Sequence, residues 1–277
     1  MLRLIKTDLK RIIKDKLFLI TLIIAVVFAL MNPLIYKLLT VALGFEGEDM
    51  GMLGILISSK QLLFSSFSLS NNFGLMIPVF ISIIICKDFS YGTIRNKIIC
   101  GHSRVKVFFS IFISTCIILI GVILFHALLT FGISSIFFQY QAEPFTSKDF
   151  VYLIESILFQ LLNYMFISAL ITLLCMIGKN IGLSIVGYVA IMLISTIVGT
   201  ILSAGIGLAE FSNLKELVLK ILEVLLNINI FNNNTAVIGL VEKYELKDIL
   251  FLILSPTIWS CLCLGVGILN FNKKDLK

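Results

Sequence analysis

Along most of the chain, uninterrupted apolar stretches alternate with short polar segments, and neither the two-residue period of strands nor the 3.6-residue period of half-buried soluble helices dominates. Six stretches approach the roughly 20 apolar residues that a helix needs to cross a hydrocarbon core of about 30 Å. The pattern predicts spans near 17–36, 62–86, 107–131, 153–177, 181–203 and 249–271, the third and fifth with room to extend outward. Residues 1–16 read differently. Leu2, Ile5, Leu9 and Ile12 recur on one helical face, while Arg3, Lys6, Lys10, Arg11, Lys14 and Lys16 supply charge elsewhere. This is the pattern of an interfacial amphipathic helix on an anionic leaflet. The apolar run that follows has the length of a signal-peptide core, but Asn32-Pro33-Leu34 stands where a small-residue cleavage site is expected, so it reads as an uncleaved first span.

Composition supports this pattern. Of 277 residues, 59% are hydrophobic and 14% charged, well away from the quarter-charged make-up of soluble domains. The predicted fold class is an all-α integral membrane protein of about six transmembrane helices, a single transmembrane domain over 1–277. The formal charge of +6 does not point to nucleic acid, because the basic residues sit beside apolar stretches without an aromatic-basic surface. Their distribution sets topology instead. With an even number of spans, 15 of the 22 Lys and Arg fall on the side of the termini, which places both termini in the cytoplasm of a multi-pass plasma-membrane protein. On the other side lie a Gly-rich loop over 43–53, a short segment around Pro144, and an extracellular connection over 204–248. Within that connection Leu214, Leu217, Ile221, Leu225 and Ile228 predict a helix lying at the outer membrane interface. Asn233-Asn234-Thr235 has the form of a glycosylation acceptor, and a turn is the preferred reading.

Several chemistries lack their residues. The six cysteines, Cys86, Cys100, Cys116, Cys175, Cys261 and Cys263, form no CxxC pair and read as packing residues, not as a metal or disulfide set. His126 is the clearest ionisable residue inside a span, with Glu155 near an outer edge. A lone histidine among Phe125, Ala127 and Leu128 reads as a hydrogen-bonded packing residue, and His126 is left out of the functional set. No HExxH pair, Ser-His or paired-Asp arrangement suits an intramembrane enzyme. Gly178-Lys179-Asn180 lacks the flanking glycine and hydroxyl of a phosphate-cradling loop, so neither ATP binding nor catalysis is expected on this chain. No catalytic or metal-ligating residue is assigned.

The informative segment is the cytoplasmic connection between spans two and three, Lys87-Asp88-Phe89-Ser90-Tyr91-Gly92-Thr93-Ile94-Arg95-Asn96-Lys97-Ile98-Ile99-Cys100-Gly101-His102-Ser103-Arg104. It predicts a short helix with Thr93 as N-cap, Ile94 and Ile98 on one face, Arg95 and Lys97 projecting charge, and a left-handed cap at Gly101. Asp88 would sit at the negative end of the second span's dipole, and the N-terminus near Thr93 is expected to compensate it.

Here the sequence resembles the permease subunits of type-2 ABC exporters. In that family a glutamate, an aromatic, two variable residues and Gly-Thr-Ile-Arg/Lys-Asn follow the second span, with a later Gly-x-Ser-Arg. Asp88, Phe89, Gly92, Thr93, Ile94, Arg95, Asn96, Gly101, Ser103 and Arg104 match it, Asp88 standing for the glutamate; Lys97 lies within the same segment. The resemblance implies a dimer with a second copy or a homologous permease, and a coupling helix that contacts a cytosolic ABC ATPase. ATP and Mg would be bound by that partner. An amphipathic peptide, antibiotic or lipid-like cargo suits an apolar route, and no substrate-binding residue is assigned. Two other readings stay open: an ATP-independent channel or secondary transporter, and a structural or regulatory membrane protein.

Overall fold

A computed structural model describes residues 1–42, 58–69, 72–138, 146–211, 216–233 and 246–273. The predicted loop over 43–53, the segment around Pro144, Leu214 and Lys215, and Asn234-Thr235 lie outside the described residues. All the regular structure described is helical. The helices are α1 (Leu2–Lys14), α2 (Lys16–Ala42), α3 (Ser59–Ser66), α4 (Asn72–Ser90), α5 (Thr93–Ile99), α6 (Arg104–Phe137), α7 (Ser147–Gly178), α8 (Ile181–Phe211), α9 (Glu216–Ile228) and α10 (Leu246–Lys273). Six of them, α2, α4, α6, α7, α8 and α10, are long and apolar enough to cross a membrane.

The spans are packed by their small residues. On α2 four of the five buried positions, Thr21, Ala25, Ala29 and Pro33, recur every four residues, with Thr40 near its end, while Leu19, Ile23, Val27, Leu30 and Leu34 are exposed. Between apolar helices in lipid, close approach of backbones does the work that hydrophobic burial does in water, and small residues permit it. This strip lies along α6. The same logic holds at Gly267 of α10, where a Cβ would come within 2.9 Å of the Phe108 ring of α6. Buried hydroxyls are satisfied locally by bonding back to a carbonyl one turn earlier: Thr115 donates to Ile111 and Phe112, Thr130 to His126, and Thr172 to Ser168.

The second span begins later than the hydropathy pattern predicts. Where one helix is expected over 62–86, α3 ends at Ser66 and α4 begins at Asn72. The serines explain the break. Ser65 and Ser66 donate to the Leu62 and Leu63 carbonyls at 3.1 and 2.6 Å, and the next two amides close three-residue turns onto Phe64 and Ser65. Side-chain bonds of this kind compete with helix continuation. Gly74 then lies so close to the turn that a Cβ there would come within 2.5 Å of the Ser68 carbonyl oxygen. Helix α3 is anchored to the start of α7 by Lys60, which donates to Asp149 at 2.9 Å; Asp149 is also the third residue of a capping box with Thr146. Tyr164 of α7 donates to the Ser68 carbonyl at 3.2 Å.

Helix α9 also departs from expectation. Its course is given by its neighbours on α8: a Cβ on Gly205 would meet Leu222, and one on Gly199 would lie 3.2 Å from the Asn229 amide nitrogen. Asn229, one residue past α9, accepts from Ser195 Oγ at 2.6 Å and donates to the Ser195 carbonyl at 2.7 Å. Ser255 of α10 donates to the Ile228 carbonyl at 2.7 Å. Ser195 lies sixteen residues, about 24 Å, before the end of α8. Helix α9 therefore folds back along α8 toward its middle instead of lying flat across one end of the bundle. Its predicted apolar stripe, Leu217, Ile221, Leu225 and Ile228, faces outward, and Val218, Leu219, Leu222 and Leu226 turn inward. Asn233 is buried, lies in a helical stretch over 230–233 and donates to the Asn227 carbonyl at 2.8 Å.

Candidate functional site

The segment singled out by sequence is built from the end of α4, the Tyr91-Gly92 turn and α5. Gly92 has φ +66° and Gly101 φ +88°, so both ends of α5 use the left-handed region that L side chains rarely adopt. Gly92 is also the N-cap of α5; Thr93, expected in that position, is the first helical residue and is half-buried. The chain must reverse within two residues after α4, and only the residue in the left-handed conformation can close that turn. The Gly92 amide accordingly donates to Phe89, and its carbonyl accepts from Asn96.

The inner face of α5 is seated in the body of the protein. Ile94 is buried, Ile98 and Phe89 pack against the same core, and Cys86 and Ile85 lie behind them. Lys97, expected to project its charge, is instead bound: its ammonium donates to Asp8 Oδ1 of α1 at 2.5 Å. Ser110 of α6 donates to the other Asp8 oxygen at 2.7 Å, so a carboxylate only 2% exposed has both oxygens occupied. A buried charge persists only where it is paired and hydrogen-bonded in this way.

Two further pairs join α1 to α4. Arg11 donates through Nη2 to Asp88 Oδ2 at 2.5 Å, and its Nη1 lies against Oδ1. The compensation for Asp88 thus comes from a guanidinium on α1, not from the N-terminus of α5, because α1 lies across the end of α4. Lys87 donates to Asp15 Oδ2 at 2.6 Å, which holds the Asp15 carboxyl below its ordinary pKa; Asp15 sits in the one-residue joint between α1 and α2. The remaining assigned residues are placed as follows. Ser103 is the N-cap of α6 without a side-chain capping bond. Arg104 reaches across to α10, donating to the Phe271 and Asn272 carbonyls at 3.1 and 2.9 Å, groups that a helix C-terminus leaves without intrahelical partners. Arg95 and Asn96 are exposed.

The outward side of the segment is therefore short and mixed. Tyr91 and Ile99 are about 70% exposed, 70% and 72% respectively, with Arg95 midway between them in sequence. Lys87 lies 5.6 Å from the centre of the Tyr91 ring, which fixes the ring's position. Sequence reading missed Asp8, Arg11, Asp15 and Ser110, whose partners are more than 70 residues away. One signal was present: Leu4, Asp8 and Ile12 fall on one face of a helix otherwise rich in lysine, and that face is buried; of the predicted apolar face, Ile12 is in the core and Leu9 packs against it, while Leu2 is exposed.

His126 is fully buried. It stacks on Phe73 at 4.4 Å between centroids and 19° between planes, and neither ring nitrogen has a hydrogen-bond partner among the described residues. It is packed in the core, with the Ser66 backbone beside the ring as a polar neighbour. Among the described residues no group of His, Cys, Asp and Glu could hold a metal ion.

The class defined by this architecture is an all-helical protein with six helices long and apolar enough to cross a membrane. No protein-family model, curated protein or solved structure matches the chain.

Proposed function

We propose that this chain is the membrane-spanning subunit of an ATP-driven exporter, a permease of the type-2 ABC kind. Hydrolysis belongs to a separate cytosolic ABC ATPase that binds ATP and Mg, and α5 is the coupling helix on which that ATPase docks. The protein lies in the plasma membrane with both termini cytoplasmic, and works beside a second copy or a homologous permease. Its cargo is an amphipathic peptide, antibiotic or lipid-like molecule.

One observation carries this reading. The connection between the second and third long helices is a seven-residue helix bracketed by two left-handed glycines, held rigidly on its inner face and exposing Tyr91, Arg95 and Ile99 on the other. A mobile basic loop would need neither glycine bracket nor the ion pairs beneath. A small exposed aromatic-cation-aliphatic set on a fixed support suits a groove with an acidic residue and an apolar pocket, since a guanidinium gives a directional contact to carboxylate. Closure of the ATPase pair would push on α5, and through the Asp8, Asp15 and Asp88 pairs the push would reach α1, α2 and α4 together.

The test is expression of the tagged full chain in its native host, identification of any ABC ATPase that co-purifies with it, and then ATP hydrolysis and export by that pair in proteoliposomes. Arg95→Glu is expected to abolish stable association, because it reverses a charge without touching an internal contact. Gly92→Val is expected to weaken it at a backbone cost of about 1–2 kcal/mol, since a Cβ at Gly92 meets nothing within 4 Å and only the left-handed φ opposes it. Normal ATPase recovery and export in both variants would reject the coupling assignment.

A further inference from the structure

We propose that the outward sides of α1 bind acidic phospholipid headgroups in the leaflet that α2 enters, so that leaflet charge holds the helix to which α5 is tied. The inference rests on α2 being a span and does not depend on the ATPase partner.

The first observation is a division of charge. Asp8 and Asp88 are buried against Lys97 and Arg11, and the partly exposed Asp15 is paired with Lys87. That leaves Arg3, Lys6, Lys10 and Lys14 exposed on α1, with no ion pair among the described residues. Pairing three acids internally makes the outer surface of α1 purely cationic, although the helix and its joint contain two carboxylates.

Depth is the second. The Ile5 carbonyl accepts from Ser114, ten residues or about 15 Å into α6, and Asp8 is met by Ser110 one turn lower. Helix α1 therefore lies against the first three turns of a span and is joined to another by Asp15 alone, whereas Arg95 and Ile99 of α5 precede α6 altogether. With α6 and α2 as spans, a helix held at this level meets the boundary between headgroups and acyl chains.

The third is an apolar strip beside the cations. Leu2 and Ile13 are 82% and 53% exposed, and at 100° per residue they adjoin half-buried Leu9 on one flank and Lys6 on the other. Lysines with an exposed aliphatic strip next to them match the headgroup region, where apolar side chains enter the lipid and ammonium groups reach back to phosphate.

The experiment uses the full chain in vesicles. Trp259 is the only tryptophan; replacing it by Phe and introducing Ile13→Trp puts one reporter on the strip, and Leu2→Trp in a separate variant puts a second at the more exposed position. Quenching is measured with brominated phosphatidylglycerol and with brominated phosphatidylcholine. At low salt the acidic lipid is expected to associate about fivefold or more strongly than the zwitterionic one. The preference should fall toward unity at about 0.5 M salt, and also at low salt in the Lys6→Gln, Lys10→Gln, Lys14→Gln variant. Equal quenching by the two lipids at low salt overturns the proposal, as does a preference that the triple substitution leaves intact. Emission typical of water with no quenching by either lipid places this strip in solvent and overturns it too.

Discussion

Two of the helices that are not spans, α1 and α9, are held by opposite means. Helix α1 is fixed by charge: its own Asp8 and Arg11, and Asp15 in the joint, meet Lys97, Asp88 and Lys87 from α4 and α5. Helix α9 is fixed by neutral groups: Asn229 exchanges two bonds with Ser195, Ser255 bonds the Ile228 carbonyl, and glycines on α8 let it come close. The difference follows from depth. Unpaired charge is costly deep in the bilayer, so contacts near the middle of α8 are made by amides and hydroxyls. At the end of the bundle, nearer to water, ion pairs cost less.

The comparison is broken most severely at Asp8. Asp8→Ala would leave Lys97, whose side chain is 11% exposed, without its carboxylate and Ser110 without its acceptor, for an expected loss of about 3–5 kcal/mol. Thermal unfolding in detergent should show a large fall in melting temperature, and adding Lys97→Met should recover most of it. Additive losses would mean that the pair is not the contact that matters.

On the neutral side, Asn229→Ala removes both bonds to Ser195 and should cost about 1–3 kcal/mol. Unlike the Asp8 effect, this loss should be the same at low and high salt, so denaturation at two ionic strengths separates the attachments. A salt-dependent loss at Asn229 would place water, and not lipid or protein, around the end of α9.

The smallest effect is that of pH on the joint. The Lys87 bond lowers the Asp15 pKa in the folded protein, so its contribution is complete above the unfolded-state value of about 4 and is lost as pH falls through the lower folded value. Both groups are partly exposed, which keeps the effect modest. Protease access at the joint between α1 and α2 should be constant from about pH 8 to about pH 5 and rise below about pH 4. Asp15→Asn should remove the transition; an unchanged transition would assign it to another carboxylate.

How much of this was legible beforehand depends on range. The six long helices follow from local hydropathy, because an apolar run of that length has few other stable states. The α5 segment was legible for a similar reason: a left-handed φ is a property of one residue, so Gly92 and Gly101 announce the two ends, and Ile94 and Ile98 announce the inner face. Its charged residues misled. Lys97 and Arg95 look alike in sequence, yet one is consumed by Asp8 and the other is free to meet a partner. The late start of α4 was half-legible in the Ser65-Ser66-Phe67-Ser68 run, which hydropathy averaging hides.

Local pattern therefore determined that this chain is a bundle of apolar helices with a punctuated polar segment after the second, since these depend on residues within a few positions of one another. Tertiary structure decided which charges are spent and which remain, and in which direction α9 runs. Pairings such as Asp8 with Lys97, or Asn229 with Ser195, join residues 89 and 34 positions apart. Helical periodicity gives each face of a helix but not what it meets, and only the packed bundle brings those faces together.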